Sequence, residues 1–358
     1  MRRMHAMKSR GKLVRSGIYQ FCLPVAAAFV LALASGCGEN RSASTSPSED
    51  GAAVVDETSM QLRIAVIPKG TTHEFWKTVE AGARKAGEEL GVNVTWVGPT
   101  KEDDRAQQIQ VVETQILNRM DGIVLAPLDA EALRRPVQEA VEKKVPVVIF
   151  DSGLNNADDL IVSFVATDNF KGGELAGRKM SELLGGKGRV LLLRYQEGSS
   201  STDKREEGFL AAIQEAAGIE VISSEQYGGA TSAEAQQVSE NLLLRFTEGD
   251  LLKVDGIFCP NESTTYGMLQ ALRRNRQAGK VKFVGFDASD PLLEGLKANE
   301  IHGLVLQNPF AMGFLGVKTM LQHLAGIHVN GRIDTGVEFL TMENLNSEEM
   351  QAILNPPL

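Results

Sequence analysis

The sequence predicts an α/β fold: parallel, doubly wound sheets covered by helices and divided between two lobes. Three observations carry this. Short apolar runs alternate with amphipathic stretches from Leu62 almost to the C-terminus, the βαβα order that builds parallel sheets. The runs show little polar alternation, as strands buried on both faces require. About ten βα units are more than one open sheet holds comfortably.

Leu62 to Ile67 is the first strand, and residues 74–90 form an amphipathic helix with Gly91 at its C-cap. Val92–Val97 is the second strand, followed by a helix over about 103–119. Gly122–Ala126 is the third strand, and Asp129 suits the N-cap of a helix to about 143. Val147–Phe150 is the fourth. A second set begins after Asp168, with helices over about 170–184, 203–216, 231–246 and 263–278. Between them lie the strands Arg189–Leu193, Ile219–Ser223, Gly256–Cys259 and Val281–Phe286. A short helix after Pro291, the strand Gly303–Leu306 and a helix over about 310–324 complete the series.

The 358 residues are 43% hydrophobic and 23% charged, an ordinary globular composition that excludes wholesale disorder or a fibre. Cys22, Cys37 and Cys259 are too few for a disulfide framework, and no CxxC pair suggests zinc or redox chemistry. Cys259, on an apolar strand, fits an inert core thiol. Charge is unevenly spread. Residues 1–36 hold six basic residues and no acid; of 37 basic and 46 acidic residues in the chain, the remainder keeps 31 and 46. A body with 15 excess acids repels a phosphate backbone, which argues against a nucleic-acid partner.

The N-terminus fits an export signal: a basic stretch, a mostly apolar run from Ile18 to Ala34, then Ala34, Ser35 and Gly36. The alternative is a membrane anchor, for which about 17 residues is the lower limit, and Gln20 and Pro24 interrupt the run. Leu33-Ala34-Ser35-Gly36-Cys37 resembles a bacterial lipobox, which implies cleavage after residue 36 and lipidation of Cys37. Plain cleavage nearby, releasing a soluble protein, is the other outcome. From Cys37 to residue 60 the chain is rich in Ser, Thr, Gly, Glu and Asp, the composition of a flexible tether.

Ligands of open α/β sheets bind outside the carboxyl ends of the strands. The polar residues just past those ends are Lys69, Asp151, Ser152, Asn261, Asp287 and Gln307. Arg205 sits early in a helix, and the first βα turn adds His73, Phe75 and Trp76. Carboxylates accept hydroxyl protons in short, charge-assisted bonds, amides donate and accept, and a flat aromatic covers the apolar face of a sugar ring. The set suits a neutral polyhydroxyl ligand; a phosphate site would need a glycine-rich turn and more cations. Each residue also has a structural alternative. Asp151 and Asp287 fit turns or N-caps, and Phe75 and Trp76 fit a core. His73 fits a solvated cap, Lys69 a surface lysine, and Arg205 a pair with Glu206 or Glu207.

In this order the residues resemble the periplasmic sugar-binding proteins of the ribose-binding type, which serve ABC importers. The likeness spans Leu62 to about Met350. Its landmarks are Phe75-Trp76 after the first strand, Ala126-Pro127 with Asp129, Val145-Pro146-Val147 leading to Phe150-Asp151, and Thr167-Asp168-Asn169. Arg205-Glu206-Glu207-Gly208-Phe209, Asn261-Glu262, Val284-Gly285-Phe286-Asp287 and Gln307-Asn308-Pro309 follow. The resemblance implies the type I periplasmic binding protein fold: two Rossmann-like lobes joined by a three-strand hinge. The first lobe would hold residues 61–167 and 308–337, the second 168–307 and 338–358. Phe75 and Trp76 would stack on a sugar, with Lys69 and His73 nearby and Asp151 and Ser152 beside its hydroxyls. Arg205, Asn261 and Asp287 would reach it from the second lobe, and Gln307 would sit at a hinge crossing. The resemblance further implies a monomer without cofactor or metal, in the periplasm or cell envelope, touching a membrane only through its lipid and docking on an inner-membrane permease. Two departures, Ser152 where ribose binders have arginine and Ala230 where they have an aromatic, reshape the pocket and point to another pentose, hexose or polyol.

Other functions fit less. Asp151 and Asp287 would be the acid/base pair of a glycosidase, but no GxSxG elbow, HExxH or phosphate loop accompanies them. A regulator on the same core would need a helix-turn-helix where the signal and tether lie. A sensor that presents a sugar or signal molecule to a chemoreceptor or kinase shares every feature above.

Overall fold

The computed structural model describes residues 61–356. The signal segment, Cys37 and the tether lie outside the described residues.

The first half runs β1 (Arg63–Ile67), α1 (Glu74–Leu90), β2 (Asn93–Trp96), α2 (Arg105–Leu117), β3 (Gly122–Leu125), α3 (Arg134–Glu142), β4 (Val147–Phe150) and β5 (Ser163–Ala166). The second runs α4 (Asn169–Leu184), β6 (Lys187–Arg194), α5 (Ser200–Gln214), β7 (Gly218–Tyr227), α6 (Ser232–Leu244) and the small hairpin β8 (Thr247–Glu248) and β9 (Leu251–Leu252). It continues with β10 (Gly256–Phe258), α7 (Glu262–Arg274), β11 (Lys282–Phe286), α8 (Asp290–Lys297) and β12 (Gly303–Leu306). Then come α9 (Pro309–Leu324), β13 (Arg332–Asp334), β14 (Glu338–Leu340) and α10 (Glu348–Leu354).

Two six-stranded sheets result, ordered β13-β5-β4-β3-β1-β2 and β14-β12-β11-β10-β6-β7. The orders are the same pattern used twice. All pairings within these two sheets are parallel except the edge pair β12–β14, which is antiparallel. The chain passes from one sheet to the other three times: after β5, after β12, and between β13 and β14. The first two passages exchange helices. α4, which follows β5, packs on α5, and α9, which follows β12, packs on α1. Both contacts need glycine. A Cβ at Gly173 would overlap the main-chain oxygen of Arg205, and one at Gly313 would overlap that of Val79.

Consecutive residues of one strand enter different cores, because side chains alternate across a sheet. Ile64 and Val66 join Trp76, Val79 and Met312 on one face; Ala65 and Ile67 join Val112, Leu133 and Val137 on the other. The second sheet does the same, with Leu191 and Phe283 on one face and Val190, Leu192 and Phe258 on the other. This is why the strands carry no polar alternation. Cys259 is a buried free thiol in that core, and burial pushes its pKa well above the usual thiol range.

Some boundaries differ from the sequence reading. The helix expected from Asp129 begins at Arg134, and the Asp129 carboxylate instead caps a turn, accepting from the N–H groups of Glu131 and Ala132 at 2.9 and 2.8 Å. The helix expected to 278 ends at Arg274, because Arg276 adopts φ 56° and turns the chain. β5, β13, β14, the β8–β9 hairpin and α10 carry too few consecutive apolar residues to stand out; β5 is Ser-Phe-Val-Ala.

Candidate functional site

The carboxyl ends of both sheets face one cleft. Its cavity is lined from both lobes. Of the residues singled out in the sequence, Lys69, His73, Phe75, Trp76, Asp151, Arg205, Asn261, Asp287 and Gln307 line it. Ser152 does not; it is fully buried, and its hydroxyl accepts from the Ser201 N–H at 3.1 Å. Glu102, Tyr195, Ser201, Thr202 and Glu262 line the cavity without having been expected.

Asp151 and Asp287 hold matching places, each one residue past its strand, β4 or β11. Each main-chain N–H still bonds the neighbouring strand, to Val165 and Val305, and each residue then turns into the left-handed region, φ 59° and 69°. That region costs energy for a side-chain-bearing residue, and aspartate tolerates it better than most. Neither residue is a helix N-cap; that place before α8 belongs to Ser289.

On the first lobe the polar groups form ion pairs. Lys69 is buried, with Nζ 3.0 Å from Asp151 Oδ2 and donating to the hydroxyls of Ser201 at 2.9 Å and Ser199 at 3.3 Å. His73 occupies the N-cap position of α1 without capping it. Its Nδ1 lies 2.6 Å from Glu102 Oε1. Burial alone would lower the His73 pKa, but the Glu102 charge and hydrogen bond hold it up at about 9. Burial alone would raise Glu102, but the imidazolium, Lys69 and the Tyr195 hydroxyl bring it down to about 2. Trp76 packs in the core through its ring, edge-on to Phe75 and Phe150, while Nε1 donates to Glu102 at 2.6 Å. Trp76 is therefore a core residue whose indole N–H reaches the cavity wall.

On the second lobe the groups form an amide-centred network. Arg205 does not pair with Glu206 or Glu207. It is buried over the Phe286 ring at 3.9 Å and donates to Asn169 Oδ1, Pro260 O and Gln307 Oε1 at 2.8–2.9 Å. Gln307 passes the chain of bonds on, its Nε2 donating to Asp287 Oδ1 at 2.7 Å, while Asp287 Oδ2 accepts from the Glu262 N–H at 3.0 Å. Burial raises the Asp287 pKa, and Arg205 and Gln307 hold it back. Asn261 caps α7 through Oδ1, accepting from the Thr264 N–H at 3.3 Å.

Three cations, Lys69, His73 and Arg205, thus face four carboxylates, Glu102, Asp151, Glu262 and Asp287. Among the described residues no group of three or more His, Cys, Asp or Glu is arranged to hold a metal.

The unexpected residues had weak signals. Tyr195 follows β6 directly, two residues past the apolar run that ends at Leu193. Glu102 lies six residues past β2, in a loop the strand-end rule does not reach. Glu262 adjoins Asn261 and is a strand-end residue in all but name.

The profile described as periplasmic binding protein domain matches residues 64–327. The chain belongs to that family. Similar relatives include the ribose import binding protein RbsB of Haemophilus influenzae, 30% identical over 81% of this chain and 95% of the relative. The D-ribose/D-allose-binding protein of Pseudomonas aeruginosa is 29% identical over 81% and 92%. Among solved structures, a carbohydrate transporter solute-binding protein from Agrobacterium radiobacter in complex with D-arabinose superposes with TM-score 0.78 at 32% identity, covering 83% of this chain and 99% of that one. One from Agrobacterium vitis with bound D-fucose gives 0.77 at 33%, covering 81% and 99%. The likeness to ribose-type sugar-binding proteins drawn from the motifs is thereby shown, and this periplasmic binding protein has the two-lobed fold that likeness implied.

Proposed function

We propose that this periplasmic binding protein is the substrate-binding lipoprotein of an ABC importer. It captures a neutral sugar or polyol in the interlobe cleft and delivers it to an inner-membrane permease. Cys37 carries the lipid that holds it in the cell envelope. The observation that carries the ligand class is the charge count: four carboxylates against three cations, all buried except the partly buried His73 and Glu262. An acidic ligand would sit, at low dielectric, against four carboxyl groups, two of which, Glu262 and Asp287, burial already pushes up in pKa. Hydroxyls suit it, since each carboxylate keeps lone pairs beyond those its protein partners use. The relatives' ligands are neutral sugars: D-arabinose, D-fucose, ribose and allose.

Closure brings the lobes onto the ligand in a hinge motion about the three crossings, and the ligand shifts that equilibrium as far as it prefers the closed state. No covalent step is required of any residue. The test is a thermal-shift screen of the full chain against pentoses, hexoses, polyols, uronic acids and amino acids, followed by calorimetry on hits. A ligand at a hundred times its Kd adds about 2.7 kcal/mol of stability. A neutral sugar or polyol hit is expected; an amino acid as the only hit would overturn the reading.

A further inference from the structure

The cleft is crossed by direct hydrogen bonds between the lobes, and they concentrate on one loop. The loop from Tyr195 to Ser199 between β6 and α5, with Ser201 in the first turn of α5, reaches the first lobe. Tyr195 donates its hydroxyl to Glu102 Oε2 at 2.6 Å, and Gln196 Nε2 donates to the Glu102 main-chain oxygen at 2.8 Å. The carbonyl of Glu197 accepts from Arg105 at 2.9 Å, and that of Gly198 from the Ala130 N–H at 3.0 Å. Ser201 bonds both Lys69 and Ser152. The loop is a clasp.

Glu102 also organises the ligand-facing wall. Its Oε1 accepts from His73 Nδ1 and Trp76 Nε1, both at 2.6 Å, while Oε2 accepts from Tyr195 of the opposite lobe. One buried carboxylate therefore holds two wall side chains of the first lobe and one clasp side chain of the second. Separating the lobes removes the Tyr195 donor and leaves His73 and Trp76 in place.

We propose that Glu102 is a positioning residue that couples the ligand-facing wall to lobe closure, with Tyr195 as its partner across the cleft. The coupling to affinity rests on the cleft being the ligand site; the coupling to closure does not. A hydrogen bond to an ionised group held away from water is worth a factor of about ten to a hundred in an equilibrium. Only the closed form makes this one, so its loss moves the closing equilibrium by that factor, and apparent affinity follows closure.

The experiment is small-angle X-ray scattering on the ligand-free full chain, with calorimetry on a ligand found by the screen, for wild type, Tyr195→Phe, Glu102→Gln and the double variant. Tyr195→Phe removes one oxygen and keeps the ring. It is expected to raise the radius of gyration of the ligand-free protein and to weaken binding about ten- to hundredfold. Glu102→Gln is expected to weaken binding further, since His73 and Trp76 lose their charged acceptor too. In that background Tyr195→Phe adds less than it does alone, the mark of a shared interaction. A Tyr195→Phe protein that melts at lower temperature yet keeps the wild-type radius and affinity would make the contact merely structural and overturn the proposal. Full additivity of the two substitutions would overturn it as well. If Tyr195→Phe opens the ligand-free protein while no sugar in the screen binds, the clasp stands and the ligand reading falls.

Discussion

The two lobes share one strand order and differ in how they neutralise their charges. Each sheet ends in an aspartate in the left-handed region, at Asp151 and Asp287. In the first lobe that aspartate meets a lysine, and the neighbouring His73 meets Glu102, so the wall is made of ion pairs. In the second lobe the aspartate meets an amide, Gln307, which relays it to Arg205. Topology thus sets where a carboxylate stands, and local sequence sets what compensates it. Buried ion pairs lose heavily when one partner goes, because the other charge is stranded. An amide-linked aspartate leaves its neighbours better satisfied, so its removal should tell on the ligand more than on the fold.

That contrast predicts the largest effects. Asp287→Ala should abolish measurable binding in calorimetry and reduce the denaturation midpoint modestly. Asp151→Ala should weaken binding and also cost about 3–5 kcal/mol of stability, because Lys69 stays buried without its counter-ion. Equal stability losses for the two variants in urea titrations would erase the distinction.

The matched glycines Gly173 and Gly313 hold the two helix contacts together. Gly313→Ala and Gly173→Ala each press a methyl group into the backbone of a packed helix and should each cost about 1–3 kcal/mol. Gly173 presses on Arg205 itself, so Gly173→Ala should also weaken ligand binding more than Gly313→Ala does. Calorimetry beside denaturation separates the two effects.

The ion-paired wall also gives the first lobe a pH signature. His73 has a folded pKa of about 9 against an ordinary 6.5, so its stabilisation is complete below 6.5 and is lost as pH rises through 9. Glu102 is lowered from 4.5 to about 2, so its share is complete above 4.5 and is lost as pH falls toward 2. The pair therefore stabilises most between 4.5 and 6.5. Wild-type urea stability should decline between pH 6.5 and 9 by an amount on the order of 3 kcal/mol, and His73→Gln should flatten that decline.

The smallest effects fall where the lobes are most alike. α4 and α9 both begin just after a passage between the sheets, and both are capped by the residue that precedes them: Asp168 accepts from the Lys171 N–H and Asn308 from the Ala311 N–H. Alanine at either cap should cost about 1 kcal/mol, and the two losses should match within error in parallel denaturation curves.

Most of the fold is legible in the sequence because burial on both faces of a parallel sheet leaves unbroken apolar runs, as at Val147–Phe150 and Gly303–Leu306. What escapes is short and borrowed. β13 and β14 are three residues each and are strands only because a sheet edge lies beside them. The site is legible where the strand-end rule applies, at Asp151, Asn261, Asp287 and Gln307. Glu102 escapes because a loop brings it back over the cleft, and no local pattern marks such a return. Ser152 misleads in the opposite sense: it stands at a strand end, yet its hydroxyl is spent on the clasp.

Calorimetry of one sugar beside its own uronic acid decides whether this cleft takes a neutral polyhydroxyl ligand. The neutral hit should bind with Kd of about 1 μM, near −8 kcal/mol, and the matched acid at least tenfold more weakly. Tighter binding of the acid would contradict a neutral ligand, because the excess carboxylate in the cleft would then be facing the wrong charge.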